Sequence, residues 1–139
     1  MKKGKEEAER WLKQSEYCLK VAEGNLRLEF FAASCFMSEQ AAQMALKAYL
    51  IFKTGRSVFE IHSIQKLAEQ CQKFDKKFKQ FIGYGRILDR YYIPTRYPDA
   101  LTPPAVPYET YTLKDASEVL KYSTQIVEMV TKDFKVKSY

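Results

Sequence analysis

Cleaving or binding a phosphodiester calls for a group that exchanges protons near neutrality, a fixed positive charge, and a flat face for a base. His62 is the one histidine among 139 residues, and histidine is the side chain whose ordinary pKa lies closest to neutrality. Arg56 precedes it with five residues between, a spacing that would let an arginine hold phosphate while the histidine moves a proton. The pair therefore stands as the candidate catalytic set. The same spacing arises easily by chance, and a histidine opening a helix can simply cap it.

The second concentration is Asp89 to Ala100, DRYYIPTRYPDA. Arg90 and Arg96 supply rigid donor forks suited to phosphate or carboxylate, and Tyr91, Tyr92 and Tyr97 supply faces on which a base can stack. Arg96, Tyr97, Tyr92 and Arg90 are the candidate ligand-binding residues here. The structural alternative is a proline-rich loop packed by its tyrosines, with Arg96 paired to Asp89 or Asp99. A third set lies within an apolar run: Glu39, Gln40 and Gln43, with Lys47 a turn further on. A polar group facing an interior must be hydrogen-bonded, so these face a site, bridge two subunits, or form the helix's exposed edge. Gln40 joins the candidate ligand contacts.

Other chemistries lack their signatures. The chain has no phosphate-binding loop, dinucleotide fingerprint, HExxH or GxSxG, so no cofactor is expected. No cluster of carboxylates is set for two metals. Cys18, Cys35 and Cys71 are far apart and odd in number, with no CxxC, which points to core thiols rather than zinc or disulfides. No metal site is expected.

The elements that must position these residues read as helices throughout. Ala8, Trp11, Leu12, Ser15, Leu19, Ala22 and Leu26 recur at helical spacing from about Glu6 to Leu26. The next helix, about Glu29 to Lys53, is rich in alanine and the most apolar part of the chain. It must be covered on most of its circumference, by a central position or by another subunit. Gly55 ends it. A third helix spans about Ile61 to Gln72. Phe74, Phe78, Phe81 and Ile82 lead to a helical stretch near Ile87 to Tyr91, with Gly83 and Gly85 expected to bend the chain between. All five prolines fall between positions 94 and 107, so an irregular Pro/Tyr-rich loop is expected at about 93–112. A last helix runs from Leu113 to about Lys132. The fold class is all-α, an antiparallel up-and-down bundle of four or five helices, read as one domain over 1–139.

The bulk numbers agree with a globular domain: 46% apolar, 29% charged, net charge +6. The basic excess favours anionic partners, though lysines are spread widely, with clusters at Lys2 to Lys5, Lys73 to Lys79 and Lys132 to Lys137. There is no apolar run long enough for a membrane span and no secretory layout at MKKGKEEAER, so a cytoplasmic protein without membrane association is expected.

The segment FFAASCFMSEQAAQMALKAYLIFKTG from Phe30 to Gly55, HSIQKL from His62 to Leu67 and YYIPTRYPDA from Tyr91 to Ala100, in that order, resemble the HEPN domains of prokaryotes over nearly the whole chain. The resemblance implies a helical bundle, commonly a homodimer, that travels with small nucleotidyltransferases in two-gene systems and has been proposed to bind nucleotides. Several branches are metal-independent ribonucleases of toxin–antitoxin systems, using an arginine and a histidine a few residues apart near the last helices. Here no histidine follows His62, and Arg56 and His62 copy that spacing much earlier. The departure favours a non-catalytic homodimeric module of a toxin–antitoxin-like system that binds a nucleotide or RNA, or partners a nucleotidyltransferase, through Arg96, Tyr92, Tyr97 and Gln40. The alternatives are a metal-independent ribonuclease toxin using Arg56 and His62, and a purely structural dimer.

Overall fold

Small side chains decide the arrangement. Alanine is a strong helix former and lets a neighbouring helix approach closely, and Ala32, Ala41, Ala42, Ala45 and Ala48 are all buried. They lie on helix α2 (Phe31–Thr54), which is enclosed by α1 (Lys2–Arg27), α3 (Ile64–Gln72) and α6 (Leu113–Lys137). Three serines tie the close approaches. Ser15 donates to the Ala41 carbonyl at 2.7 Å, Ser34 to that of Ala22 at 2.8 Å, and Ser123 to that of Ser38 at 2.6 Å. Each hydroxyl is buried but satisfied, which is the condition for tolerating it there. Large side chains then fill the ends, with Tyr49 against Phe78 at 4.3 Å between ring centroids and Phe52 against Phe134 at 5.0 Å.

The computed structural model describes residues 2–58, 60–92 and 95–137, with side chains described between 4 and 135. Among them there is no strand: α4 (Gln80–Leu88) and a single turn, α5 (Pro107–Thr110), complete the set of α-helices, with short 3-10 turns at Lys76–Lys79, Asp89–Tyr91 and Pro98–Ala100. The fold is an all-α bundle, as expected. The start of the anticipated loop at Ile93, Pro94, and the side chains of Lys2, Lys3 and Lys137 lie outside the described residues. No helix among the described residues is long and apolar enough to cross a membrane. Because α1, α3 and α6 already cover α2 within one chain, its apolarity calls for no second subunit.

The turns follow from local chemistry. Between α1 and α2 the chain reverses through Glu29 at φ 64°, with the Phe30 amide bonded back to the Asn25 carbonyl at 2.8 Å. Gly55 closes α2 at φ 71°, its amide donating to the Ile51 carbonyl at 2.7 Å, the left-handed terminator anticipated there. The loop after Leu88 is less irregular than expected. It holds the 3-10 turn at Pro98–Ala100 and helix α5, each opened by a proline in a first-turn position, where the missing amide is no loss. Cys18, Cys35 and Cys71 are free and buried. Burial pushes the Cys35 thiol up to about 12, so it holds its proton.

Gly83 and Gly85 do not bend the chain as expected; both lie inside the continuous helix α4. Gly85 is there for space. A β-carbon on it would sit 2.6 Å from the Gln65 amide nitrogen and 2.9 Å from the Ile64 carbonyl carbon, both backbone atoms of α3. The α3–α4 contact is then fastened by Asp89, just past α4. Its carboxylate accepts from the Ser63 hydroxyl at 2.7 Å and from the amides of Ile64 and Gln65 at 2.6 and 3.2 Å. These are amides of the α3 first turn, which carry no intrahelical acceptor, and a negative charge there is favoured by the helix dipole. Ser63 adds the cap from within, accepting from the Lys66 amide at 3.2 Å. Gly85→Ala should cost about 3 kcal/mol, since a backbone neighbour cannot move aside as a side chain can. Gly83→Ala, whose β-carbon meets nothing within 4 Å, should instead stabilise the helix by about 1 kcal/mol. Urea unfolding of the two variants should move in opposite directions.

Candidate functional site

Glu39 is fully buried on α2, and its carboxylate is held by two carboxamides. Gln40 Nε2 donates to Oε1 at 2.7 Å and Gln43 Nε2 to Oε2 at 2.8 Å. Gln43 spans inward and outward: its other end, Oε1, lies 3.3 Å from Nδ1 of His62. His62 itself is solvent-exposed on the connector immediately before the Ser63 cap of α3. The Asp89 clasp fixes that connector, and thereby the histidine, relative to α2 and α4.

The imidazole has a second support. Its ring stacks on Tyr92 with centroids 5.4 Å apart and planes inclined by 13°. Tyr92 is also one of three rings around the Arg96 guanidinium, whose carbon lies 4.4 Å from the centre of Phe36, 4.9 Å from Tyr97 and 5.1 Å from Tyr92. Arg96 Nε donates to the Tyr92 carbonyl at 3.1 Å, leaving the terminal nitrogens directed elsewhere. Cation–π contacts of this kind hold a guanidinium without neutralising it. Arg96 therefore differs from its structural alternative: no ion pair to Asp89 or Asp99 occurs among the described residues, Asp89 being engaged by α3. Beside Arg96 opens a groove of about 670 Å³, lined mainly by apolar and aromatic groups that include Phe30, Phe36, Pro98 and Tyr108.

The electrostatics follow from burial. Desolvation pushes the Glu39 carboxyl up to about 7 from an ordinary 4.5, partly opposed by the Gln40 and Gln43 donors and by the charge of Arg96, and assisted by Asp89. Burial likewise lowers the Lys47 ammonium, while Glu39 and Glu60 draw it back up; the ammonium lies 5.6 Å from the centre of the Trp11 ring. The buried carboxyl is thus one carboxamide removed from His62 and within the field of the Arg96 charge. No group of three or more His, Cys, Asp or Glu side chains among the described residues is placed to hold a metal ion.

The structure thus brings together His62, Tyr92, Arg96, Tyr97 and Gln40. Arg56 is exposed beyond Gly55, and Arg90 is exposed after Asp89; no hydrogen bond, ion pair or ring contact among the described residues joins either to His62. Tyr91, from the same segment as Tyr92, points to the core instead and packs on Tyr111 at 5.5 Å. Glu39 and Gln43 are the residues that spacing alone left undecided. They are not an exposed edge; their signal was polarity on an otherwise buried helix.

A family model described as the HEPN domain matches residues 8–134. A Methanocaldococcus jannaschii protein named "Putative toxin MJ1304" is 26% identical, the match covering 95% of this chain and 90% of the relative. The crystal structure of TT1696 from Thermus thermophilus superposes with a TM-score of 0.82 at 34% identity, covering 90% of this chain and 96% of that one. ST0689, described as an archaeal HEPN homologue, gives a TM-score of 0.73 at 31% identity, covering 91% and 97%. These findings overturn the expectation of a non-catalytic nucleotide-binding or nucleotidyltransferase-partner module. The Methanocaldococcus jannaschii relative is named for a toxin.

The raised Glu39 pKa carries a stability signature. Between about pH 4.5 and 7 the folded chain holds a proton that the unfolded chain has released, so stability falls as pH rises through that window and is flat above it. The loss should be on the order of 3 kcal/mol, read by urea unfolding across pH. It should vanish in Glu39→Gln, which has no proton to lose. Superimposable pH profiles for the two proteins would mean that Glu39 titrates normally.

Proposed function

This chain belongs to the HEPN family, and from that footing we propose that it is the toxin of a toxin–antitoxin pair, acting in the cytoplasm as a metal-independent ribonuclease centred on His62. The observation that carries the reading is the anchoring of the sole histidine between Gln43 and Tyr92, with the Arg96 charge held on the same tyrosine. In this reading neutral His62 takes the proton of a ribose 2′-hydroxyl. The oxygen attacks the adjacent phosphorus, the bond to the 5′-oxygen breaks, and the proton returns to that leaving oxygen, giving a 2′,3′-cyclic phosphate. Arg96 balances the charge that accumulates on the phosphoryl oxygens. A base enters the aromatic groove beside it and stacks on the exposed Tyr108 of its lining, or on Tyr97 across the guanidinium from it. Arg56 and Arg90, exposed on the flanking connectors, contact neighbouring phosphates.

The resemblance further supports a homodimer and a small nucleotidyltransferase as the antitoxin. With no metal required, the full-length protein should cleave single-stranded RNA in the presence of chelator and leave cyclic phosphate ends. His62→Ala should lose about 100-fold or more in rate, and Arg96→Ala should lose transition-state stabilisation of comparable size. Arg56→Ala should raise KM and leave kcat nearly unchanged, as expected of a residue that binds phosphate without touching the reacting atoms. Cleavage surviving in His62→Ala would move the chemistry away from this residue.

A further inference from the structure

We propose that Glu39 is a positioning residue that dictates which nitrogen of His62 carries the proton. It does so through Gln43, whose carboxamide it holds in one orientation. The inference rests on the reading of His62 as the base, but the protonation pattern it assigns is observable without any reaction.

The chain of reasoning is one of donors and acceptors. An ionised carboxylate only accepts, whereas a carboxamide has one accepting and one donating end of nearly the same shape. With Oε1 of Glu39 taken by Gln40 and Oε2 facing Gln43 at 2.8 Å, the Gln43 amide must present its NH2 to Glu39. Its oxygen is then the atom that faces His62 Nδ1 at 3.3 Å. An amide oxygen cannot donate, so Nδ1 must carry the hydrogen. A neutral imidazole has one N–H, and Nε2 is left with its lone pair free. Stacking on Tyr92 keeps the ring in the plane where this bond is made. A base on Nε2 is therefore specified by a carboxylate two side chains away, and the burial of Glu39 keeps water from competing for the intermediate carboxamide.

Replacing Glu39 by glutamine removes the specification. The new side chain can either donate or accept, so Gln43 can turn over, present NH2 to His62 and favour the opposite tautomer. Gln43→Leu removes the accepting oxygen outright.

The test is clean because only one histidine gives signal. Long-range 1H–15N correlation spectra of 15N-histidine-labelled full-length protein at pH 8 report the two ring nitrogens separately. Wild type should show a protonated-type Nδ1 and an unprotonated-type Nε2. In Glu39→Gln and in Gln43→Leu the two shifts should move toward each other or exchange. Arg56→Ala, whose exposed side chain has no contact with Glu39, Gln43 or His62 among the described residues, should retain the wild-type pattern, with thermal unfolding confirming that all variants fold. A wild-type Nε2–H tautomer, an unchanged Glu39→Gln spectrum, or an Arg56→Ala spectrum as altered as that of Glu39→Gln would overturn the proposal. In the cleavage assay Glu39→Gln should lower kcat by about tenfold with KM unchanged. Absence of cleavage by wild type would defeat the proposed function while leaving the tautomer result to decide this one.

Discussion

The structure depends on the enclosure of α2. A helix covered by α1, α3 and α6 on nearly every side has no solvent face on which to place polar residues, so each one it carries must be matched inside the protein. The Ser34 hydroxyl meets the Ala22 carbonyl of α1, and the Ser38 carbonyl accepts from Ser123 of α6, although the Ser38 hydroxyl is buried without a partner. Glu39 is matched instead by the Gln40 and Gln43 carboxamides, and for Glu39 and Lys47 burial sets the terms on which they ionise. The same close packing that makes the bundle rigid therefore raises the buried Glu39 carboxyl toward neutrality. Core and candidate site are consequences of a single packing decision.

The site is assembled from three stretches of chain that are remote in sequence. The carboxyl and carboxamides come from the middle of α2, the histidine from the connector before α3, and the arginine and its rings from the segment after α4 together with Phe36. Asp89 is what gives the last two a common frame, since it belongs to the tyrosine-rich segment but spends its hydrogen bonds on the first turn of α3. The nearest backbone approach in that region, at Gly85, keeps the frame tight. Most of this geometry is thus made by residues that need never touch a ligand.

Burial periodicity in the sequence marks where helices pack, and it located α1, α2, α3 and α6 well. It does not mark where they begin. Helix α1 starts at Lys2 rather than Glu6, because lysine and glutamate propagate a helix without adding to an apolar stripe, and α6 continues to Lys137 rather than stopping near Lys132, carrying Phe134 onto Phe52. Glycine misled in α4, where the two residues are tolerated for different reasons: one faces open space and the other a backbone. At the site, His62, Tyr92 and Arg96 could be chosen for their chemistry alone. The partner of each could not, since whether Asp89 meets Arg96 or the α3 amides, or whether Glu39 faces water or a histidine, is decided by how distant helices pack. Arg56 shows the converse, a spacing that suits catalysis on a connector that leaves the side chain in solvent.

The ring-bound guanidinium of Arg96 also bears on the thermodynamics of encounter. An arginine locked to a carboxylate must give up that partner before it can meet a phosphate, and the exchange gains little. Here the charge is cradled by Phe36, Tyr92 and Tyr97 and enters no ion pair among the described residues. Under the proposed function, an RNA arriving at it would shed its condensed cations into bulk solution with no ion pair to break, so that association would be driven by the entropy of released ions and weaken steeply with salt. Ionic strength, more than any contact visible in the folded chain, would then be the variable to which the proposed hold on RNA is most sensitive.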